Sequence, residues 1–141
     1  MDQTQERRLI GSLALALEQV ANGELKFMAA VQSADQADLG KAAASLPHTL
    51  ILTGAATAAV LGDLLDGSCA WQDAQAWAFF VRRGYVPSWR SPILPIAVDY
   101  EDFYEDAIVE AVSRMDELGD EVDGHISEAE GRLLLQLLGV P

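Results

Sequence analysis

Apolar residues recur every three or four positions through most of this chain, which is the spacing of amphipathic α-helices. Over residues 4–22, for example, Leu13, Leu17 and Val20 fall on one face, and most polar residues fall elsewhere. The same periodicity predicts further helices over 69–83, 100–118 and 128–138, and a short helix before residue 33. Residues 33–40 are predicted to form a connection.

The segment 47–65 has a different pattern, because it is apolar on nearly every side and carries no formal charge before Asp63. Such a pattern predicts a buried helix around which the other helices pack. Gly54, Ala58 and Gly62 are spaced four apart, so they form a ridge of small residues along which another helix can approach closely. Several Thr residues and the absence of a flanking Lys or Arg cluster favour a core helix over a membrane span.

The region 85–98 contains three of the five prolines, which exclude a regular helix there. Its apolar residues predict an irregular segment that lies over the core. The chain has 141 residues, 50% of them hydrophobic, which is enough for one domain with one core. We therefore predict an all-α fold: a single domain over 1–141, in which five or six helices surround helix 47–65.

Acidic residues are concentrated in the last third of the chain. The formal net charge is −13, and residues 99–130 contain thirteen acidic side chains and a single basic one, Arg114. The sequence lacks a basic patch that would bind nucleic acid, and its acidic surface would repel anionic lipid. Such a surface attracts a basic protein partner, although solvation alone would also explain it.

The N-terminal residues and the cysteine content lead us to expect a cytoplasmic protein. Arg7 and Arg8 precede an amphipathic run without the cleavage-site pattern of a secretory signal peptide. Cys69 is the single cysteine, which excludes a disulfide within the chain and a cysteine-rich metal site. Its apolar neighbours predict a position in the core.

The helix predicted over 100–118 carries acidic side chains opposite an apolar stripe that includes Phe103. Glu101 and Glu105, and likewise Asp102 and Asp106, are four residues apart, so each pair is expected to destabilise the helix by a few tenths of a kcal/mol. A helix optimised only for stability does not need such pairs, which favours a binding role. The predicted protein-binding residues are Tyr100, Glu101, Asp102, Tyr104, Glu105, Asp106, Glu110, Asp116 and Glu117. The acidic members would steer a basic partner, and the two tyrosines would anchor it.

Residues 119–130 resemble the twelve-residue calcium loop of an EF-hand. The third, fifth, sixth, ninth and twelfth positions are matched by Glu121, Asp123, Gly124, Ser127 and Glu130. The first position is Gly119, where the calcium loop has an Asp side chain. A turn at Gly124 followed by a capping box of Ser127 and Glu130 explains the same residues without a metal. We therefore expect no cofactor, with calcium as the alternative.

Residues suited to catalysis are few. His48 lies at the start of the predicted central helix and His125 in a turn, and neither has a nucleophile or a metal-ligand partner nearby in the sequence. The sequence contains no glycine-rich phosphate-binding loop and no nucleophile elbow. The carboxylates of 100–118 lie on a predicted solvated face, whereas acid–base catalysis needs a cleft and shifted pKa values. We expect a protein that is not an enzyme.

Three stretches of the chain share a helical pattern, namely 17–25 (LEQVANGEL), 65–80 and 108–118. In the first, a helix ends at a glycine and a second helix begins soon after. This pattern resembles that of small bacterial immunity proteins of the colicin-D-immunity-like kind, although this chain has an additional acidic helix–turn–helix at 116–138. The resemblance implies a cytoplasmic antidote that binds and neutralises a toxin domain. Immunity proteins are commonly acidic because many of their targets are basic nucleases.

Two alternatives stay open. The first is a calcium-responsive helical module that uses the loop 119–130. The second is a helical homo-oligomer in which the ridge of Gly54, Ala58 and Gly62 forms the subunit contact. Reversing the charges of Glu105 and Asp106 separates protein binding from self-association, because only the former is expected to weaken.

Overall fold

A computed structural model describes residues 2–122 and 124–141 as an all-α bundle with one very small sheet. In this part of the chain the α-helices are α1 (Gln3–Ala21), α2 (Met28–Ser33), α3 (Gln36–Ser45), α4 (Gly54–Asp66), α5 (Trp71–Arg83), α6 (Glu105–Asp116) and α7 (Glu128–Leu137). Two 3₁₀ turns, Leu25–Phe27 and Asp102–Tyr104, precede α2 and α6. The strands β1 (Leu50–Leu52) and β2 (Val98–Tyr100) pair in parallel. The predicted all-α, single-domain bundle is confirmed.

Side chains cap the starts of α4 and α7. The Thr53 hydroxyl accepts a hydrogen bond from the Ala56 N–H at 3.0 Å, and the Ser127 hydroxyl accepts one from the Glu130 N–H at 3.1 Å. Each bond satisfies an amide that the first turn of a helix leaves without a partner. The predicted N-cap at Ser127 is thus confirmed, whereas the Glu130 side chain of the predicted capping box binds Arg114 instead. The cap of α4 falls inside the predicted central helix.

The central helix is shorter than predicted, since α4 begins at Gly54 and not near residue 47. The preceding run Leu50–Leu52 forms β1, with its first and last residues buried and Ile51 exposed, as strand alternation requires. Its register pairs Leu50 with Val98. Pairing with a distant strand satisfies backbone groups that a longer helix would otherwise satisfy, and local periodicity cannot reveal it.

The helix predicted over 100–118 also starts later than expected, because Val98–Tyr100 belongs to β2 and α6 begins at Glu105. The like-charged pairs expected on this helix are therefore wrong: Glu101 and Asp102 precede the α-helix. The irregular segment is confirmed over 85–97. The predicted connection over 33–40 is wrong from residue 36 onward, where α3 begins.

The core is formed where α1 packs against α3, α5 against α6, and α4 against both α6 and α7. Trp77 is completely buried, and its indole N–H donates to the Val20 carbonyl oxygen at 2.8 Å, which joins α5 to the end of α1. Cys69 is partly buried and packs against this core. Burial of each large apolar side chain contributes about 1.5–3 kcal/mol. Among the described helices, none has the length and apolar composition needed to cross a membrane.

The small residues of α4 have unequal surroundings. A Cβ atom at Gly54 would lie 2.9 Å from the ring of Tyr104, whereas a Cβ atom at Gly62 would have no neighbour within 4 Å. Ala58 is buried within the chain. The predicted ridge is therefore not a continuous surface for another subunit, and only Gly54 is required by close packing.

Candidate functional site

Four acidic side chains that were predicted to bind a partner are exposed around one aromatic ring. We define the acidic surface as Asp102, Phe103, Glu105, Asp106 and Glu110, all of which are exposed. Phe103 is 85% exposed. Within the described residues, none of the four carboxylates forms an ion pair. The acidic surface thus combines unneutralised negative charge with a large apolar side chain.

Phe103 is held outward by the ring of Tyr104. The two ring centroids are 4.7 Å apart and the rings meet at 79°, an edge-to-face arrangement that aromatic pairs favour. Tyr104 in turn packs on Gly54, where the missing side chain leaves room for its ring. Tyr104 is partly exposed, as predicted, and its ring supports Phe103, while its role as an anchor stays a prediction.

Hydrogen bonds also fix the backbone that carries Phe103. The Glu101 N–H donates to the Leu52 carbonyl oxygen at 2.9 Å, and the Glu101 carboxylate accepts from the Gly54 N–H at 2.9 Å. Glu101 therefore contributes a cap to α4, where a negative charge is stabilised by the helix dipole. Tyr100 is partly buried, and burial raises the pKa of its hydroxyl, an effect that the nearby Arg82 partly opposes.

Asp116 and Glu117, which were also predicted to bind a partner, are both neutralised by arginines of the same chain. The Asp116 side chain is 7% exposed, and its carboxylate accepts hydrogen bonds from Arg82 at 2.8 Å and Arg83 at 2.9 Å. Glu117 forms an ion pair with Arg114 at 2.8 Å. The Asp116 contacts join α5 to the end of α6, and the Glu117 pair is local, so neither carboxylate adds free charge to the acidic surface.

A cavity of about 410 Å³ lies beside the acidic surface, between the turn Asp102–Tyr104, the start of α6 and the end of α7. Phe103, Ala107 and Leu137 provide its apolar lining, and the four exposed carboxylates surround them. Leu137 is itself 48% exposed. This arrangement fits a segment that presents an apolar side chain with basic residues on either side of it.

The structure gives the calcium-loop residues other roles. Both oxygens of Glu130 accept hydrogen bonds from Arg114, at 2.7 and 3.0 Å, and this ion pair lowers the pKa of the Glu130 carboxyl. Gly119 adopts a positive φ of 91°, and a Cβ atom there would lie 2.7 Å from the ring of Trp71. Glu121 is exposed and Ser127 caps α7, whereas Asp123 lies outside the described residues. Among the residues that are described, no cluster of His, Cys, Asp and Glu could hold a metal ion.

Neither histidine side chain takes part in the acidic surface. His48 is exposed beside β1, and His125 is exposed before α7, where its carbonyl oxygen accepts a hydrogen bond from Arg114 at 2.9 Å. Burial raises the pKa of the Cys69 thiol, so it carries the charge of a reactive thiolate less readily. These groups do not form a constellation of nucleophile and base in the described structure.

Phe103 is the member of the candidate site that sequence reasoning missed. Its helical spacing placed it on the inward stripe, but the strand and the 3₁₀ turn before α6 change the direction of its side chain. A usable signal was the short apolar run before Thr53 and Gly54, because such runs bounded by turn residues are also typical of buried strands. A strand at that position needs a partner strand, and the apolar residues after Pro95 were candidates for it.

Comparison of the chain with protein-family models, with curated proteins and with solved structures finds no match. The resemblance to colicin-D-immunity-like proteins therefore stays a prediction. The observations that bear on function are therefore the geometry and charge of the acidic surface.

Proposed function

We propose that this chain is a non-enzymatic protein-binding domain whose acidic surface binds a basic protein. The observation that carries the proposal is the 85% exposure of Phe103 among four carboxylates that form no ion pair with residues 2–122 or 124–141. Burying a phenylalanine side chain contributes about 1.5–3 kcal/mol, and the isolated chain does not obtain this stabilisation. A partner that covers Phe103 would obtain it.

The carboxylates and the ring have different roles in this proposal. The carboxylates accelerate the approach of a positively charged partner, and this effect weakens as salt screens the charges. Phe103 provides the anchor, since a few large side chains carry most of the binding energy of an interface. The matching partner surface has one apolar side chain beside several Lys or Arg residues.

A cytoplasmic immunity protein that neutralises a basic toxin domain is one protein of this kind. The helix pattern of 17–25, 65–80 and 108–118 supports this more specific function, as does the net charge of −13. In such a complex, the acidic surface would cover a basic region of the toxin and thereby block it.

Affinity capture from the native host's lysate tests the proposal. The wild-type chain is compared with Phe103→Ala and with the double variant Glu105→Lys/Asp106→Lys, at low and at high salt. Glu18→Lys/Glu24→Lys is the matched control, because it makes the same change in net charge at exposed positions outside the acidic surface. We expect a basic protein that the wild type and the control retain at low salt, and that the other two variants lose.

Two outcomes would contradict the proposal. If the control loses the partner as completely as Glu105→Lys/Asp106→Lys does, binding depends on net charge and not on the acidic surface. If the wild-type chain retains no protein at either salt concentration, the acidic surface is only a solvated face.

A further inference from the structure

Exposed leucines of α7 continue the apolar part of the acidic surface. Leu137, which lines the same cavity as Phe103, is 48% exposed, and Leu133 is 57% exposed. The two leucines are four residues apart on one helix, so they lie on the same face, about 6 Å apart along the helix axis. We define the apolar row as Phe103, Leu137 and Leu133. A partner can therefore bury more apolar area here than the single ring of Phe103 offers.

The apolar row follows the groove between α6 and α7. The start of α6 meets the end of α7 at the cavity that Ala107 and Leu137 line. At the other end of the groove, Arg114 of α6 binds Glu130 of α7 at 2.7 Å. The two helices are therefore antiparallel neighbours. Glu130, Leu133 and Leu137 are spaced three and four residues apart, so they share the face of α7 that borders this groove.

Negative charge borders the apolar row on one side only. All four carboxylates of the acidic surface belong to α6 or to the 3₁₀ turn before it. The charged side chains of α7 are in ion pairs, Glu128 with Arg132 at 2.6 Å and Glu130 with Arg114 at 2.7 Å. The α6 side of the row is thus acidic, and the α7 side carries balanced charge.

From this arrangement we infer that the partner's binding element is an amphipathic α-helix with basic residues along one edge of its apolar stripe, an inference that rests on the proposed function. A helix that binds in a groove uses apolar anchors spaced three and four residues apart, which form a straight stripe like the apolar row. Lys or Arg residues on one flank of that stripe would face the four carboxylates. The one-sided charge also fixes the direction in which the other flank of the helix points.

The backbone of this surface favours a helix over an extended segment. Extended segments bind well at a free strand edge, where their amide and carbonyl groups find partners. The helices α6 and α7 use their own backbone groups in internal hydrogen bonds, so an extended segment buried between them would leave polar groups without partners. A helix satisfies its backbone internally and packs its side chains into the groove between two other helices.

Titration calorimetry of the full chain with two synthetic peptides tests the helix. The first peptide has about fourteen residues, with leucines spaced three and four residues apart and lysines on one flank of them. The second differs by one proline in place of a residue near its centre, on the face away from the leucines, which prevents a continuous helix. We expect the first peptide to bind, to gain helical circular dichroism on binding, and to bind at least about tenfold more tightly than the second.

A pair of variants tests whether the binding site extends along α7. Leu133→Gln removes an anchor of the apolar row without changing the net charge. Leu15→Gln is the matched control, because Leu15 is also an exposed leucine on a helix, at 51%, and lies on α1. We expect Leu133→Gln to raise the Kd of the first peptide about tenfold and Leu15→Gln to leave it unchanged. Circular dichroism melting confirms that each variant is folded.

The inference is overturned if both peptides bind equally, or if Leu133→Gln binds the first peptide as the wild type does. If equal binding of both peptides is lost in Phe103→Ala, the acidic surface still binds a basic partner, but the partner is not a helix. If neither peptide binds at low salt, the helix is overturned as the occupant, and capture from the lysate decides separately whether the acidic surface binds a protein.

Discussion

The acidic surface and the groove between α3 and residues 94–97 present the same kind of group in opposite electrostatic settings. We call this second region the uncharged groove. Each displays one large apolar side chain on a short irregular segment that hydrogen bonds hold in place: Glu101 fixes the backbone before Phe103, and Gln36 fixes Leu94. On both surfaces, the group that a partner could bury is a single large apolar side chain. Four carboxylates surround Phe103, whereas no formal charge lines the groove. Charge, and not hydrophobicity, is therefore what distinguishes the two surfaces.

The largest effect is expected from a variant that alters the support of the acidic surface alone. Gly54→Ala places a Cβ atom 2.9 Å from the Tyr104 ring and should destabilise the fold by about 2 kcal/mol through overpacking. Gly62→Ala is the matched control on the same helix; it meets no neighbour and should stabilise by about 0.5–1 kcal/mol. Urea unfolding measures both. Because Tyr104 supports Phe103, Gly54→Ala should also weaken partner binding; equal stability changes in the two variants would contradict the packing described.

Salt sharpens the comparison, because it should act on binding at the acidic surface and leave the uncharged groove unaffected. Raising the ionic strength should weaken binding of a lysine-rich peptide with one central leucine by about tenfold, or about 1.4 kcal/mol. Over the same range, Leu94→Ala should bind the peptide as the wild type does, since the uncharged groove contributes no formal charge. Titration calorimetry measures both. Binding that does not weaken with salt would show that the carboxylates do not attract the peptide.

Lowering the pH should reduce the stability of the fold by weakening the ion pair that joins α6 to α7, the helix that borders the acidic surface. Arg114 lowers the pKa of Glu130 below its ordinary value of 4.5, so this pair stabilises the fold above that pH. The stabilisation is lost as the pH falls through the lowered pKa. Glu130→Gln should cost about 1 kcal/mol at neutral pH and show a smaller loss on acidification. Glu128→Gln, which removes an exposed ion pair with Arg132, should change the pH dependence of the free energy of unfolding less. Equal pH dependences in the two variants would contradict the assignment of the effect to Glu130.

The smallest expected effect tests how the groove presents Leu94. The Gln36 side-chain amide donates to the Pro92 carbonyl oxygen and accepts from the Leu94 N–H, both at 3.1 Å. Gln36→Ala removes both hydrogen bonds to the loop and should lower the free energy of unfolding by only about 0.5 kcal/mol, because the site is at the surface. Urea unfolding measures this loss, and peptide binding to the acidic surface should be unchanged. Gln32→Ala, an exposed glutamine nearby in the sequence, is the control. An unchanged free energy of unfolding in Gln36→Ala would show that the two hydrogen bonds of Gln36 do not contribute to stability.

Sequence periodicity predicted the elements whose formation is local. The helices α1, α5 and α7 follow from apolar spacing and from caps such as Ser127, because their hydrogen bonds join neighbouring residues. It failed at β1 and β2, since a run of three apolar residues becomes a strand only when a distant segment pairs with it. The start of α6 was wrong for the same reason.

In the candidate site, too, the sequence predicted what depends on local spacing and missed what depends on distant contacts. The exposure of Glu105, Asp106 and Glu110 follows from their positions on a helix face, so the sequence identified them. The neutralisation of Asp116 depends on arginines that another helix brings to it, and helical spacing carries no such information. The exposure of Phe103 depends on the end of β2.

The strand β2 lies between the two surfaces in the sequence. Residues 94–97 lead into it from the groove, and Phe103 follows shortly after its last residue. A slip of one residue in strand pairing moves every side chain of a strand to its opposite face. The register of three residue pairs, from Leu50 with Val98 to Leu52 with Tyr100, therefore aligns two exposed apolar side chains at once. Any change that shifted this register would misdirect Leu94 and Phe103 together.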